Sequence, residues 1–398
     1  MSEPEERFFD GVICFGGGDW WYHNRGHYDM QMMRELSRRV PVVFVNSVGL
    51  RVPKPAEGTM FLRRIVRKLR SLSRGHVRVH DRFSVLSPFV VPGRLATTWS
   101  VPVASRQVRR AARRAGIRHP LVWITCPPGA EFLDHLDPVG VVYQRTDRWE
   151  AYPEADEAHV LSLHHRLRAR ADLTLFCATL LYDEEAGDCR AAAYVDHGVD
   201  YEMFAAAGSG GAETPEDVRD IPRPRAGFIG GIDASTFDPE LFVSVARSLP
   251  EVHFVLVGAC SLDEGWVDLP NVHLLGQKPY GEVAAYMAAC DVLLMPWNQS
   301  EWIRACNPIK LKEYLAVGRP VVTTPFEELK HYAELVGVAR GDAAFARAIR
   351  DALEAPPSPE VLRARVRQET WEAKASAVVD ALAERGLVLV DLEKAGDR

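Results

Sequence analysis

None of the seven cysteines in this 398-residue chain forms a C-x-x-C pair. Cys14, Cys126, Cys177, Cys189, Cys260, Cys290 and Cys306 are odd in number and scattered, which supplies neither zinc-ligand spacing nor a disulfide framework. A reducing compartment follows from that usage, and a cytoplasmic location is expected. D-x-D motifs and His/Cys clusters are missing as well. No apolar run reaches the length of a membrane span, and the acidic opening MSEPEERFFD lacks the apolar core of a signal peptide. An excess of positive charge is also lacking: 48 Lys and Arg against 54 Asp and Glu leave a net charge of −6 and no general pull toward nucleic acid. The exception is local. From Phe61 to Arg82 eight basic residues face one acid, Asp81, with Phe61, Leu62, Ile65, Val66, Leu69 and Leu72 at helical spacing. Such a basic amphipathic helix is either a solvated helix packed on its domain or a surface touching a phosphate-bearing acceptor or anionic lipid head groups on the cytoplasmic face of a membrane.

What is present is dominated by the stretch from Asp291 to Thr324, DVLLMPWNQSEWIRACNPIKLKEYLAVGRPVVTT. It reads as a buried strand, a polar loop, a helix capped by Asn307 with Pro308 at its first position, a left-handed stop at Gly318 and a second buried strand. Lys310 and Glu313 lie three apart and share a helix face near an N-terminus that attracts anions. That combination suits a phosphorylated sugar or nucleotide: cation and dipole hold phosphate oxygens and the carboxylate accepts hydroxyl protons. An ordinary intrahelical ion pair is the plainer alternative.

Around it the chain alternates strands and helices. Strands are expected at Gly11–Phe15, Pro41–Asn46, Ser84–Phe89, Pro120–Thr125, Gly140–Gln144 and Asp172–Cys177. A second series is expected at Arg225–Ile229, His253–Val257, Val272–Leu275, Val292–Met295, Pro320–Thr323 and Val336–Ala339. The first strand meets Gly16-Gly17-Gly18-Asp19, a glycine loop that departs from G-x-G-x-x-G, so a dinucleotide fingerprint is not indicated. Trp20, Trp21, Tyr22 and His23 follow, either a stacking floor for a sugar or an aromatic core cluster. Asp147, just past a strand end, is either a carboxylate for a sugar hydroxyl or a turn residue. Residues 206–224, rich in Gly, Pro and acids, read as a linker. The expected division is therefore 1–205, a linker at 206–224, 225–375, and a C-terminal helix and tail at 376–398 that returns to the first domain.

The ordered series HGVDYEMF, RAGFIGGID, VHFVLVGAC, NVHLLGQKPYGEVAAYMAACDVLLMPW, NPIKLKEYLAVGRPVVTT and TWEAKA resembles the GT-B glycosyltransferases of the retaining family 4 type, especially the branch of teichuronic acid biosynthesis. The resemblance implies an α/β chain of two Rossmann-like domains facing an interdomain cleft, with the acceptor held by the first and the nucleotide-sugar donor by the second. It assigns Glu313 to the donor ribose, and Lys310, Arg304 and Asn307 with the Gly230-Gly231 backbone to the diphosphate and sugar. It places Gly17, Gly18 and Trp20 on the acceptor side, and Asp19, His23 and Asp147 among the catalytic candidates. A nucleoside diphosphate sugar, UDP-sugar foremost, is the implied co-substrate and a hydroxyl group the acceptor, with no cofactor or metal. Two departures stand out: Ala305 occupies the position of a family carboxylate, and Ile232-Asp233-Ala234-Ser235 follows the glycines where the family carries Arg and Lys.

The implied reaction is glycosyl transfer with retention, the leaving diphosphate helping to deprotonate the acceptor. Two other readings share the fold. An epimerase acting on a sugar nucleotide would cast Asp19, His23 and Asp147 as acid and base. A non-catalytic subunit binding a sugar or a partner enzyme fits the two departures.

Overall fold

The computed structural model describes residues 5–22, 26–48, 59–90, 94–152 and 155–390. His23 lies outside them. Two compact units emerge, one comprising residues up to Asp196 together with those from Lys374 onward, the other His197–Ala373.

The first unit contains β1 (Arg7–Phe9), β2 (Gly11–Phe15), β3 (Val42–Val45), β4 (His76–His80), β5 (Phe83–Leu86), β6 (Pro120–Ile124), β7 (Gly140–Arg145), β8 (Leu173–Phe176) and β9 (Ala192–Tyr194). The second contains β10 (Arg225–Ile229), β11 (His253–Val257), β12 (Val272–Leu274), β13 (Val292–Met295), β14 (Val321–Thr323) and β15 (Gly337–Val338). A last strand, β16 (Leu387–Leu389), belongs to the first unit and pairs in parallel with β1. The large sheet of the first unit runs β4-β5-β3-β2-β6-β7-β8-β9, parallel except for the antiparallel β4–β5 pair. That of the second runs β12-β11-β10-β13-β14-β15 and is parallel throughout.

Both sheets reverse their strand order once, between β2 and β6 and between β10 and β13. Loops at the carboxyl ends flanking such a reversal splay apart and leave a crevice, which is where ligands of doubly wound sheets collect. The central strands read as continuous apolar runs, GVICF and VLLM for example, because helices cover both faces. In the second unit Val255, Leu293 and Leu315 pack on one side of the sheet and Phe228, Phe254 and Leu294 on the other.

Residues 206–224 do not act as a linker. Ala207, Val218 and Ile221 are buried in the core of the second unit, and the chain passes from the first unit at Asp196. The polar, glycine-rich composition belongs to a broken helical turn at Ala207–Gly211, where Gly210 adopts φ 90°. The basic helix spans Thr59–Arg74 and gives way to β4, which short alternation in HVRVH did not announce.

Candidate functional site

In the second unit, the β10 end carries Gly230 and Gly231, and the helix Ile309–Val317 starts beside it. Pro308, not Asn307, is the N-cap residue; buried Asn307 stands one position before it. Gly318 ends the helix at φ 79°, the left-handed conformation expected for it. The Lys310 ammonium reaches back over the strand end. A β-carbon on Gly230 would sit 2.6 Å from its Nζ, so the glycine makes room for the cation. Phe228 and Trp297 each lie 5.6 Å from the same Nζ, and their ring faces help to hold the charge. Gly258 at the end of β11 is equally constrained, since a β-carbon there would fall 1.7 Å from the Gly230 carbonyl oxygen.

One turn on, Glu313 is 6% exposed, and its Oε1 accepts a hydrogen bond from the Tyr280 hydroxyl at 3.3 Å. Burial raises its carboxyl to a pKa of about 7, with Lys310 and Tyr280 opposing that rise. Burial likewise lowers the Lys310 pKa, against the pull of Glu313. Tyr280 lies 33 positions before Glu313 and no short spacing pattern marks it; its setting after β12 is the only sequence signal.

The remaining residues of this group behave differently. Arg304 is exposed, paired with Glu301 at 3.2 Å and facing Glu327 at 4.0 Å, so its guanidinium is engaged by carboxylates. Asp233, standing where the resemblance expects a base, folds back on its own loop and accepts from Ser235 and Thr236. Ala305 is buried and apolar. Lys312 is buried too, donating to the His197 carbonyl at 2.6 Å and to Glu369 at 3.2 Å, a structural tie within the second unit.

In the first unit the glycine loop follows β2. Gly16 is the glycine that packing demands, because a β-carbon there would lie 2.2 Å from the Phe44 ring. Gly17 donates its N–H to Asp29 Oδ2 at 2.8 Å, so this amide is already spent on a carboxylate. Gly18 lies beside it, half-buried, with its carbonyl accepting from Ser47 N. Trp20 is buried against Phe83 and Phe44, at ring distances of 4.7 and 5.6 Å, and its N–H backbone group donates to Asn46. It is a core residue and not a sugar-stacking floor. Trp21 and Tyr22 are covered by cations, Arg74 at 4.5 Å and Arg67 at 5.9 Å. Asp19 accepts from Trp21 N in a turn.

Asp147 follows β7, and burial raises its carboxyl to about 6, with Thr146 and Arg145 pulling the other way. The loop holding it is clamped from both sides. Arg145, fully buried at the end of β7, binds Glu150 through two bonds of 2.9 and 2.7 Å. Its other face bonds Glu185, which also contacts His164 at 3.2 Å. This network was not legible beforehand: Arg145 and Glu150 flank Asp147 in sequence, but Glu185 and His164 come from distant helices. Among the described residues no group of three or more His, Cys, Asp or Glu is placed to hold a metal ion, and no helix is long and apolar enough to cross a membrane.

Known proteins extend this picture. Residues 223–355 match the family Glycosyl transferases group 1. The Bacillus subtilis (strain 168) protein named teichuronic acid biosynthesis glycosyltransferase TuaH is 32% identical over 206 residues, covering 46% of this chain and 50% of that one. The UDP-glucuronate:glycolipid 2-beta-glucuronosyltransferase of Xanthomonas campestris pv. campestris is 28% identical over 194 residues, covering 47% of this chain and 43% of its own. The chain thus spans about half the length of the curated relatives it matches. Sucrose-phosphate synthase from Thermosynechococcus elongatus superposes with a TM-score of 0.68 at 15% identity, over 94% of this chain and 98% of its own. Anabaena HepE in complex with UDP-glucose gives a TM-score of 0.65 at 13% identity, over 94% and 99%. These likenesses establish the GT-B fold. Residues 223–355 are a glycosyl transferases group 1 domain, carried by a chain of GT-B fold.

Proposed function

We propose that the protein transfers a glycosyl group from a nucleoside diphosphate sugar, UDP-sugar first among the candidates, to a hydroxyl acceptor. One observation carries this reading: at the strand-order reversal of the second unit, Lys310 is drawn over Gly230 while the buried Glu313 carboxylate stands one turn away. The cation and the glycine backbone suit the diphosphate, and the carboxylate suits the ribose hydroxyls. The relatives named for UDP-glucuronate transfer and for a complex with UDP-glucose support the choice of uridine.

In the transfer, the bond from the anomeric carbon to the diphosphate oxygen breaks and a bond to the acceptor oxygen forms. Lys310 stabilises the charge that develops on the departing diphosphate. In the retaining scheme, the acceptor's proton passes to that diphosphate. A second scheme, in which a carboxylate of the protein takes that proton, goes with inversion. The anomeric configuration of the product, read by NMR, separates the two.

Titration calorimetry with UDP tests the reading. Binding is expected in the micromolar to millimolar range, weakened about tenfold or more in Glu313→Ala. Heats indistinguishable from dilution with UDP, GDP, ADP and dTDP alike would instead favour a non-catalytic subunit. An isomerised sugar recovered with free nucleotide would favour the epimerase.

A further inference from the structure

The donor site proposed above takes no residue from two helices of the first unit, Thr59–Arg74 and Arg94–Arg114. Together they hold twelve Lys and Arg and not one Asp or Glu, in a chain whose net charge is −6. So dense a sequence of like charge favours an external anion.

Their outward faces are apolar as well as cationic. On the first helix Val66, Leu69, Arg70 and Ser73 recur at helical spacing and are exposed, Leu69 by 59%. The opposite side is occupied: Ser71 is buried, and Lys68 donates to the Ser47 carbonyl at 3.0 Å. On the second helix Trp99, Val103, Arg106, Arg110 and Arg114 form the exposed stripe, with Trp99 53% exposed. Val101, Ala104, Val108 and Ala111 form the buried one. The two helices flank one groove of about 420 Å³, lined by Leu72, Leu86 and Phe89 with Arg110 and Arg114 at its rim. Exposed Phe89 is fixed there by a hydrogen bond from its N–H to Gln107.

We infer that this two-helix surface docks on a bilayer rich in anionic phospholipid, with Val66, Leu69, Phe89, Trp99 and Val103 entering the head-group boundary and the arginines between them meeting lipid phosphates. Charge decides against a second copy of the same face, which would bring like charges together. Five large apolar side chains in water favour a lipid boundary over nucleic acid, because the apolar layer of a bilayer can remove aliphatic and aromatic side chains alike from water. Arg67 and Arg74, held over Tyr22 and Trp21, serve the fold, so the charge that matters here is carried by Arg70, Arg106 and Arg110.

The test is sedimentation of the full chain with vesicles of phosphatidylcholine alone or of equal parts phosphatidylcholine and phosphatidylglycerol. Binding only to the anionic vesicles, reversed by high salt, is expected. Neutralising Arg70, Arg106 and Arg110 to Gln lowers the partition by about fivefold per arginine. Leu69→Ser with Trp99→Ser lowers it at unchanged charge, and the blue shift of tryptophan emission on vesicles shrinks in Trp99→Phe. UDP binding and the melting temperature stay at wild-type values in all of these variants, because the substituted side chains are exposed and lie in the other unit. Equal binding to phosphatidylcholine alone, an unaffected triple variant, or retention on polyuridylate without vesicle binding would each overturn the inference.

Discussion

On the proposed reading, Glu313 ties ligand binding to stability through a single carboxyl. With that carboxyl raised to about 7, the ribose recognition proposed for its ionised form would switch on across neutrality. UDP affinity is therefore expected to rise about tenfold between roughly pH 6 and pH 8, and Glu313→Gln to flatten that rise as well as weaken binding; calorimetry at the two pH values checks it. The sign for folding is opposite. A carboxyl raised above its unfolded value favours the native state while protonated, and that contribution is lost as pH rises through about 7. Urea denaturation should then find Glu313→Gln gaining on the wild type, on the order of 2 kcal/mol, when pH is raised from about 5 to about 8. Gly230→Ala probes the neighbouring cation. The new methyl meets the far end of a flexible lysine, so the fold survives while Lys310 is displaced, and UDP affinity drops about tenfold with little change in melting temperature. Lys310 and Glu313 were legible because a three-residue spacing on a helix is a local signal. Trp20 was misleading for the complementary reason: one sequence cannot tell an aromatic ring that lines a crevice from one that fills the space between Phe44 and Phe83.

Elements are held by partners the sequence hides. The strands could be read because both faces are covered and the apolar runs are unbroken, whereas β4, β9 and β16 are three to five residues long and lie at sheet margins. The loop from Thr146 to Trp149 owes its shape to the salt bridges across it. Burial alone would raise Glu185, yet His164 and Arg145 bring it down to about 2. Its stabilising contribution is present above the ordinary carboxyl pKa of 4.5 and lost as pH falls toward 2. Removing the shared cation is harsher than titrating one anion. Arg145→Met leaves Glu150 and Glu185 without their guanidinium and is expected to cost about 3–5 kcal/mol in urea denaturation at neutral pH. Glu150→Gln keeps one hydrogen-bond partner for Arg145 and should cost clearly less. If both variants matched the wild type, the clamp would have no mechanical role in presenting Asp147.

At the scale of the chain, the division into units falls where composition gives no sign of it. The Gly- and Pro-rich stretch before β10 looked like a boundary, but the buried apolar side chains of Phe204, Ala207 and Val218 draw it into the second core. The real closing element of the first unit comes from the far end of the sequence. Leu387 on β16 is 1% exposed and stacks on Gly140, where a β-carbon would approach its methyl to 2.5 Å. Arg7 on β1 adds a salt bridge to Asp172 at 3.0 Å and a bond to the Val139 carbonyl. The first unit is thus completed only when the last strand arrives, while the residues proposed for the donor site fold within the contiguous stretch His197–Ala373. Leu387→Ala should therefore destabilise the first unit by about 2–5 kcal/mol, the range for a buried leucine that leaves a cavity. UDP affinity measured well below the melting range should stay at the wild-type value, because Lys310, Glu313 and Tyr280 belong to the other unit. Two melting steps in the variant, with UDP raising only the second, is the expected outcome. A single step lowered to the same extent with and without UDP would mean that the two units unfold as one.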